Sequence, residues 1–238
     1  MTYWQFHAVF ILPPLLLLAF VPPRPWTRRV HRNQDLFLGL IGLIAFAYTT
    51  PWDNYLVYRG VWSYSAGRVL GVVGYVPVEE YLFFLLQPLL TGLWFYRILP
   101  ASNVVVSLPA SRLPNAVGTA TSLLLGLVGL LLLRHDGGLY MGLSLVWAMP
   151  VMAGQWAYAG RSIWALRRYG LIGVLVPTVY LWVADRIAIG LGIWQISEPY
   201  TLGWHLAGLP VEEATFFLVT NLLVVKGLIL FLRGTGAR

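Results

Sequence analysis

The sequence predicts an all-α polytopic membrane protein: seven transmembrane helices in two parallel three-helix repeats joined by a linker helix. Of its 238 residues, 58% are hydrophobic and only 11% charged, with a mean hydropathy of +0.72, where soluble domains carry about 25% charged residues. Seven apolar stretches, at about 4–21, 34–52, 76–98, 116–133, 138–160, 169–194 and 209–232, are each of the length that crosses a bilayer as a helix, roughly 20 residues. The third observation is a repeat. Tyr3 and Pro13 recur as Tyr140 and Pro150, Asp53 and Trp62 as Asp185 and Trp194, and "PVEE" at 77–80 as "PVEE" at 210–213. A single membrane domain, 1–238, follows, with repeat 1 at 1–100, the linker helix at 113–135 and repeat 2 at 138–234.

The first stretch, "YWQFHAVFILPPLLLLAF", lacks a basic leading region and a small-residue cleavage site, so it reads as helix one rather than a signal peptide. Pro13 and Pro14 predict a kink there. Helix two is expected to end with Asp53, in "PWDN", where an aspartate usually caps or turns. Helix three opens on "PVEEYLFF" and helix seven on "PVEEATFF". Helix four, "AVGTATSLLLGLVGLLLL", has no counterpart. Three helices repeated directly would come out inverted; one extra crossing restores the parity, so both halves run the same way. Both glutamate pairs then fall on one side of the membrane, within reach of one cavity.

The loops orient the chain. Eleven of the sixteen basic residues (Arg24, Arg28, Arg29, Arg32, Arg97, Arg112, Arg161, Arg167, Arg168, Arg233 and Arg238) fall on one side, against Arg59, Arg68, Arg134 and Arg186 on the other. The positive-inside bias makes the first side cytoplasmic and the N-terminus external. Of the nine acids only Asp35 is then cytoplasmic. The net charge of +7 is thereby explained by orientation, without nucleic acid as a partner, and the partner expected is the lipid of the cell membrane. The chain has no cysteine, which excludes disulfides and thiolate metal sites.

A glutamate in the first turn of a helix is ordinarily a favourable charge at the macrodipole, and proline is at home at a helix start. The pairs here ask for more, because they recur at matched places and because ionised groups at membrane depth are costly and usually functional. Adjacent helical residues point about 100° apart, so each pair offers one member to a given spot. Glu80 shares a face with Phe83, Phe84 and Gln87; Glu213 shares one with Phe216, Phe217 and Thr220. Glu79 and Glu212 are expected behind them as supporting carboxyls. Carboxyls crowded together away from water hold their protons, and a protonated carboxyl aimed at an apolar cavity is a Brønsted acid. Asp53 and Asp185 are weaker candidates, Asp185 being followed by Arg186, an expected ion-pair partner. Among the eleven tryptophans, Trp62 and Trp194 are repeat-matched and stand out from the interfacial belt as candidates for an aromatic wall that favours cations. His7 and His205 are expected in hydrogen-bonding or interfacial roles.

The sequence holds no GxGxxG dinucleotide fingerprint, no nucleophile elbow, no HExxH and no aspartate-rich run of the kind that binds a metal diphosphate. No metal or cofactor is expected. An acid-catalysed rearrangement of a hydrocarbon needs none of these parts.

"PWDN", the twin "PVEE" motifs, the three-one-three helix plan and the chain length together resemble the small integral-membrane lycopene cyclases, found elsewhere as two three-helix subunits or as one domain of a fused cyclase/phytoene synthase. The resemblance covers nearly the whole chain. It implies an enzyme of the intramolecular lyase or isomerase type in carotenoid biosynthesis, which turns the ψ ends of a linear carotene such as lycopene into rings without net redox. It places the family's Pro-x-Glu-Glu carboxyls on Glu79, Glu80, Glu212 and Glu213, with Glu80 and Glu213 as proton donors or acceptors. Association with other carotenoid enzymes is a further expectation. "PWDN" has no literal copy in the second half, where "VADR" stands.

Seven helices with a single lysine, Lys226, in the last also outline a retinal-binding photoreceptor or a small transporter. Against that, Lys226 lies near the cytoplasmic end of its stretch, where its ammonium is expected to snorkel outward, and helix three offers no acid at mid-membrane.

Overall fold

The structure, a computed structural model, describes residues 1–20, 28–99 and 108–234. Arg24 and Arg238, on which part of the orientation argument rests, lie outside the described residues. Seven helices run through the rest: α1 (Tyr3–Phe20), α2 (Arg28–Tyr58), α3 (Val78–Ile98), α4 (Leu113–Leu132), α5 (Leu139–Ala165), α6 (Arg167–Gly190) and α7 (Val211–Gly234). All but α3 are long and apolar enough to cross a membrane. α3 was expected among them; its Glu79, Glu80, Gln87, Thr91 and Arg97 dilute its apolar character, and of these Glu79, Gln87 and Thr91 are buried inside the bundle.

α1 begins with a capping box. Gln5 N donates to Thr2 Oγ1 at 3.2 Å, and Thr2 N donates to Gln5 Oε1 at 2.9 Å. A π-helical turn, His7–Ile11, ends one residue short of Pro13 and Pro14; the wider turn goes with the missing proline donors. α2 corrects the sequence reading: it does not end at Asp53 but continues through Pro51 to Tyr58. Around the proline, side chains take up helix carbonyls, Thr50 Oγ1 donating to Phe46 O at 2.7 Å and Asn54 Nδ2 to Thr50 O at 2.9 Å. Asp53 is therefore an interior helical residue, fully buried.

Each of the segments after α2 and α6 holds a short strand and then a two-strand hairpin. The strands β1 (Trp62–Tyr64) and β4 (Trp194–Ile196) pair antiparallel with each other, Ser63 opposite Gln195. The hairpins are β2 (Val72–Val73) with β3 (Val76–Pro77), and β5 (His205–Leu206) with β6 (Leu209–Pro210). Gly74 turns the first hairpin at φ +65°, and a Cβ there would lie 2.5 Å from Asn54 Oδ1, which accepts from Tyr75 N at 3.0 Å. Each hairpin delivers the chain into a helix headed by a glutamate pair.

α3 and α7 lie at the centre. α3 packs on α1, α2, α6 and α7; α7 packs on α5, α6, α2 and α3. α4 lies outside and packs along α5. Its buried face is Gly118, Ser122 and Gly129, small residues that let the two backbones approach. Three apolar cores fill the described bundle: one at the Glu-pair end, built on Phe83, Phe84, Phe216, Phe217, Trp52 and Trp62, one at the other end around Phe95, Ile163, Val225 and Leu228, and a smaller one between α5 and α7 around Met149, Met152 and Val219.

Candidate active site

α3 and α7 both begin at one small chamber of about 30 Å³. Its walls include Glu80, Glu213, Asp185, Trp62, Trp194, Phe83, Phe216 and Phe217 of the sequence-derived set, together with Tyr3 and Tyr64. On α3, Glu80 Oε2 accepts from Tyr3 Oη at 2.5 Å and from Tyr64 Oη at 3.2 Å. On α7, Glu213 Oε1 accepts from Tyr140 Oη at 2.7 Å and from Trp62 Nε1 at 3.1 Å. Tyr3 and Tyr140 are matched positions, so each half supplies a tyrosine from its first helix to the glutamate of its third. In each glutamate these bonds fall on one carboxyl oxygen, Oε2 of Glu80 and Oε1 of Glu213. Burial, then the neighbouring Glu80, push the Tyr64 hydroxyl well above its ordinary range, so it remains a donor.

The other member of each pair faces elsewhere. Glu79 Oε1 accepts from Leu70 N at 2.8 Å and Glu212 Oε1 from Leu202 N at 2.7 Å, the same job in both halves: a carboxylate ties the loop that leads into its helix. Each keeps a second oxygen buried without a hydrogen-bond partner. The 100° between neighbours on a helix accounts for this division, chamber for the second glutamate and loop for the first.

Asp185 Oδ1 accepts from Trp194 Nε1 at 2.9 Å, while its Oδ2 is buried and unpartnered. The expected ion pair with Arg186 is replaced by this bond, since Arg186, one position on, lies against Gly208 instead. Asp53 is fully buried with neither oxygen hydrogen-bonded. Phe84 stands apart from the chamber, edge-on to Tyr81 at 6.0 Å. The remaining rings close round the carboxyls: Phe83 and Phe217 edge to face at 6.2 Å, Phe216 stacked on Trp52 at 5.3 Å, and Trp194 against Tyr3 at 4.8 Å.

Tyr3, Tyr140 and Tyr64 are the hydrogen-bonding partners that the sequence did not single out. Tyr3 and Tyr140 carried a signal, their recurrence 137 positions apart; Tyr64 carried none, because Ile196 occupies its matched place. His7 is not interfacial: it is fully buried, packed against Tyr3 at 4.9 Å and Phe83 at 6.2 Å, with the backbone of Tyr3 and Glu79 beside its ring. His205 is exposed, its Nδ1 3.2 Å from Gly203 O. Lys226 does not snorkel. It is buried with its Nζ 4.9 Å from the centre of the Trp156 ring, outside the chamber walls.

A carboxyl held by a tyrosine, with its second oxygen toward a water-poor aromatic space, can give a proton to an uncharged carbon centre and take one back from a cation. The ring faces favour the cation in between.

A protein-family model described as lycopene cyclase matches residues 1–99 and 138–228, leaving out the stretch that holds α4. A lycopene beta-cyclase of Halobacterium salinarum is 43% identical over 230 residues, 97% of this chain and 95% of that protein. The bifunctional lycopene cyclase/phytoene synthases of Podospora anserina and Neurospora crassa are 35% and 36% identical over 92% and 94% of this chain, which spans 38% of each of them. No solved structure matches.

Proposed function

Because the chain belongs to the lycopene cyclase family, we propose that it converts the ψ end groups of a linear carotene, lycopene, into rings of the β-carotene type by proton transfer alone. The observation that carries the reading is the meeting of Glu80 and Glu213, from matched positions of α3 and α7, at one aromatic chamber.

A protonated glutamate adds its proton to the terminal carbon–carbon double bond and leaves a tertiary cation. The internal double bond six atoms round attacks that cation and closes the ring, moving the positive charge inward. Loss of a neighbouring proton to a carboxylate makes the ring double bond. One proton enters and one leaves, so mass and oxidation state are unchanged; the pair keeps its total of protons, and the proton taken up by the acceptor passes back to the donor before the next turnover. Glu80 and Glu213 are the donor and acceptor. Tyr3, Tyr64, Tyr140 and Trp62 hold them and bias which oxygen carries the proton. Asp185 and Asp53 add carboxyl character beside them, and Trp62, Trp194, Phe83, Phe216 and Phe217 face the cation. Glu79 and Glu212 act at one remove, fixing the loops that seat α3 and α7. The chamber has room for about two water molecules, which limits capture of the cation by water.

The same reading makes the chain one membrane domain with two like-oriented halves, 1–100 and 138–234, and a linker helix that restores their parity. It sits in the cell membrane with the N-terminus outside and the C-terminus in the cytoplasm.

The test is pigment chromatography of lycopene-accumulating bacterial membranes that express the chain. Lycopene should disappear into monocyclic or bicyclic carotenes of the same mass. Unchanged lycopene in membranes where the protein is present in quantity would overturn the reading.

A further inference from the structure

α2 and α5 touch through Tyr48, Trp52 and Trp147, and beside that contact a cavity of about 90 Å³ lies between them, floored by α3 and α7. It runs along the helices from Tyr48 and Trp147 to Ile41 and Val224, about 10 Å by the seven residues from Ile41 to Tyr48. Phe83 and Phe216 line both this groove and the acid chamber. They are the partition between the two spaces. The groove's rim is open, Ile44, Tyr48 and Val151 being exposed. Most of its polar groups are engaged elsewhere: Gln87 Nε2 bonds Asn221 Oδ1 at 2.6 Å, Gln155 Nε2 bonds Leu223 O at 2.9 Å, and Thr220 Oγ1 bonds Phe216 O at 2.9 Å, while Gln155 Oε1 is buried without a partner. The surface left to an occupant is mostly apolar, with flat aromatic rings gathered at the chamber end.

The pseudo-symmetry supplies a control within the molecule. Tyr48 Oη donates to Trp147 O at 2.9 Å across the α2–α5 gap, and the matched Tyr180 Oη donates to Phe10 O at 2.7 Å across the gap between α6 and α1. A second groove lies there, lined by Pro14, Leu18, Trp94 and Val176 among others, yet neither Phe83 nor Phe216 belongs to it. Trp94 stands in it, where α7 has glycine, Gly227, at the matched position, and the second groove shares no lining residue with the chamber.

We infer that the α2–α5 groove holds the conjugated chain of the linear carotene next to the end being cyclised, and that Phe83 and Phe216 are the gate through which that end enters the chamber. This rests on the cyclase reading above. A stiff polyene can present its end to a buried acid only if the chain behind it has an apolar channel in line with that acid, and the α2–α5 groove is the one that shares its walls with the chamber. The 30 Å³ chamber is too small for a ring, so one or both phenylalanines turn as the end enters, merging chamber and groove. With the opposite groove cut off, one end is processed at a time.

The experiment uses the full chain in nanodiscs, with Glu80→Gln and Glu213→Gln introduced to stop turnover and lycopene as the probe. Lycopene is achiral and acquires a visible circular-dichroism band only when a protein holds it. Ala45→Phe, on the α2 wall of the groove, should weaken binding at least tenfold, and Val151→Phe on the facing α5 wall should do the same. Val176→Phe, in the opposite groove, should leave binding within twofold. Far-ultraviolet circular dichroism checks helicity, and should one groove variant fail to fold, the other decides. Binding within twofold of the parent in a folded groove variant overturns the inference and leaves the groove to lipid acyl chains. Equal losses in all three variants overturn it too. Failure of the cyclase reading looks different: lycopene binds with this groove dependence, but the chain with its glutamates intact forms no cyclic product.

Discussion

Glu80 and Glu213 each rest on a tyrosine and each have a neighbouring glutamate turned to a loop, so the two members of a pair should respond differently to substitution. Glu80→Gln and Glu213→Gln remove a titratable proton while keeping the shape and hydrogen-bond capacity of the side chain. Each should lower turnover by about 10² or more, the range of general acid–base contributions, with the protein still folded in the membrane. Tyr140→Phe removes only the hydroxyl that holds Glu213 and should cost roughly tenfold, about 1.4 kcal/mol of barrier. Lycopene conversion by the purified variants reads all three; full activity in either glutamine variant would remove that residue from the mechanism. The glutamates were legible in the sequence because acids at membrane depth are rare and these recur. Asp53 was half legible. Its repetition was visible, but the "PWDN" signature of a turn is overridden by a helix that runs on through Pro51 to Tyr58. Tyr64 could not be found, as its bond to Glu80 joins a loop strand to a helix whose approach is set by tertiary packing.

At the scale of elements, α4 depends on glycine. A Cβ on Gly129 would lie 2.8 Å from Leu145 Cβ and 3.0 Å from Gly142 O, whereas one on Gly39 of α2 meets nothing within 4 Å. Gly129→Leu should therefore push α4 off α5 and cost about 2 kcal/mol, within the usual range for overpacking, while Gly39→Ala should leave the melting temperature in detergent nearly unchanged. Equal melting of the two would mean that the α4–α5 contact contributes little. Another tie was not legible: Asn221 on α7 joins Gln87 and Thr91 on α3 and Thr178 on α6 through buried hydrogen bonds of 2.6 to 2.9 Å. Such a cluster fixes the register of α3 against α7, and with it the depth of Glu80 relative to Glu213. Residues so far apart in sequence carry no local signal of their meeting, and Asn221 has Pro88 at its matched place.

At the scale of the whole molecule, the short β1–β4 ribbon sets Ser63 opposite its own sequence counterpart Gln195, as the proposed arrangement of two like halves would have it. The two halves depart from that symmetry where a chemical difference is needed. Trp62 crosses to Glu213 of the other half, while Trp194 stays with Asp185 of its own. One lateral groove shares lining residues with the chamber and the other does not. The orientation is testable because the chain has no cysteine. A cysteine replacing Gly67, in the segment between α2 and α3, should react with a membrane-impermeant maleimide on intact spheroplasts. One replacing Arg112, just before α4, should react only after permeabilisation. The reverse pattern would invert the topology proposed here without disturbing the site.

The sequence by itself determined what depends on local composition and on recurrence: apolar helices of a membrane protein, the doubled carboxyls at the head of two helices, and the family. Both kinds of signal are carried along the chain, in hydropathy over about 20 residues and in spacing over more than a hundred. The tertiary structure alone decided which side chains hold the chamber glutamates and which of two like gaps shares a wall with the chamber. Those outcomes depend on where separate helices come to rest against one another, to within a few ångströms, and the packing of α3 and α7 at the centre is what decides them.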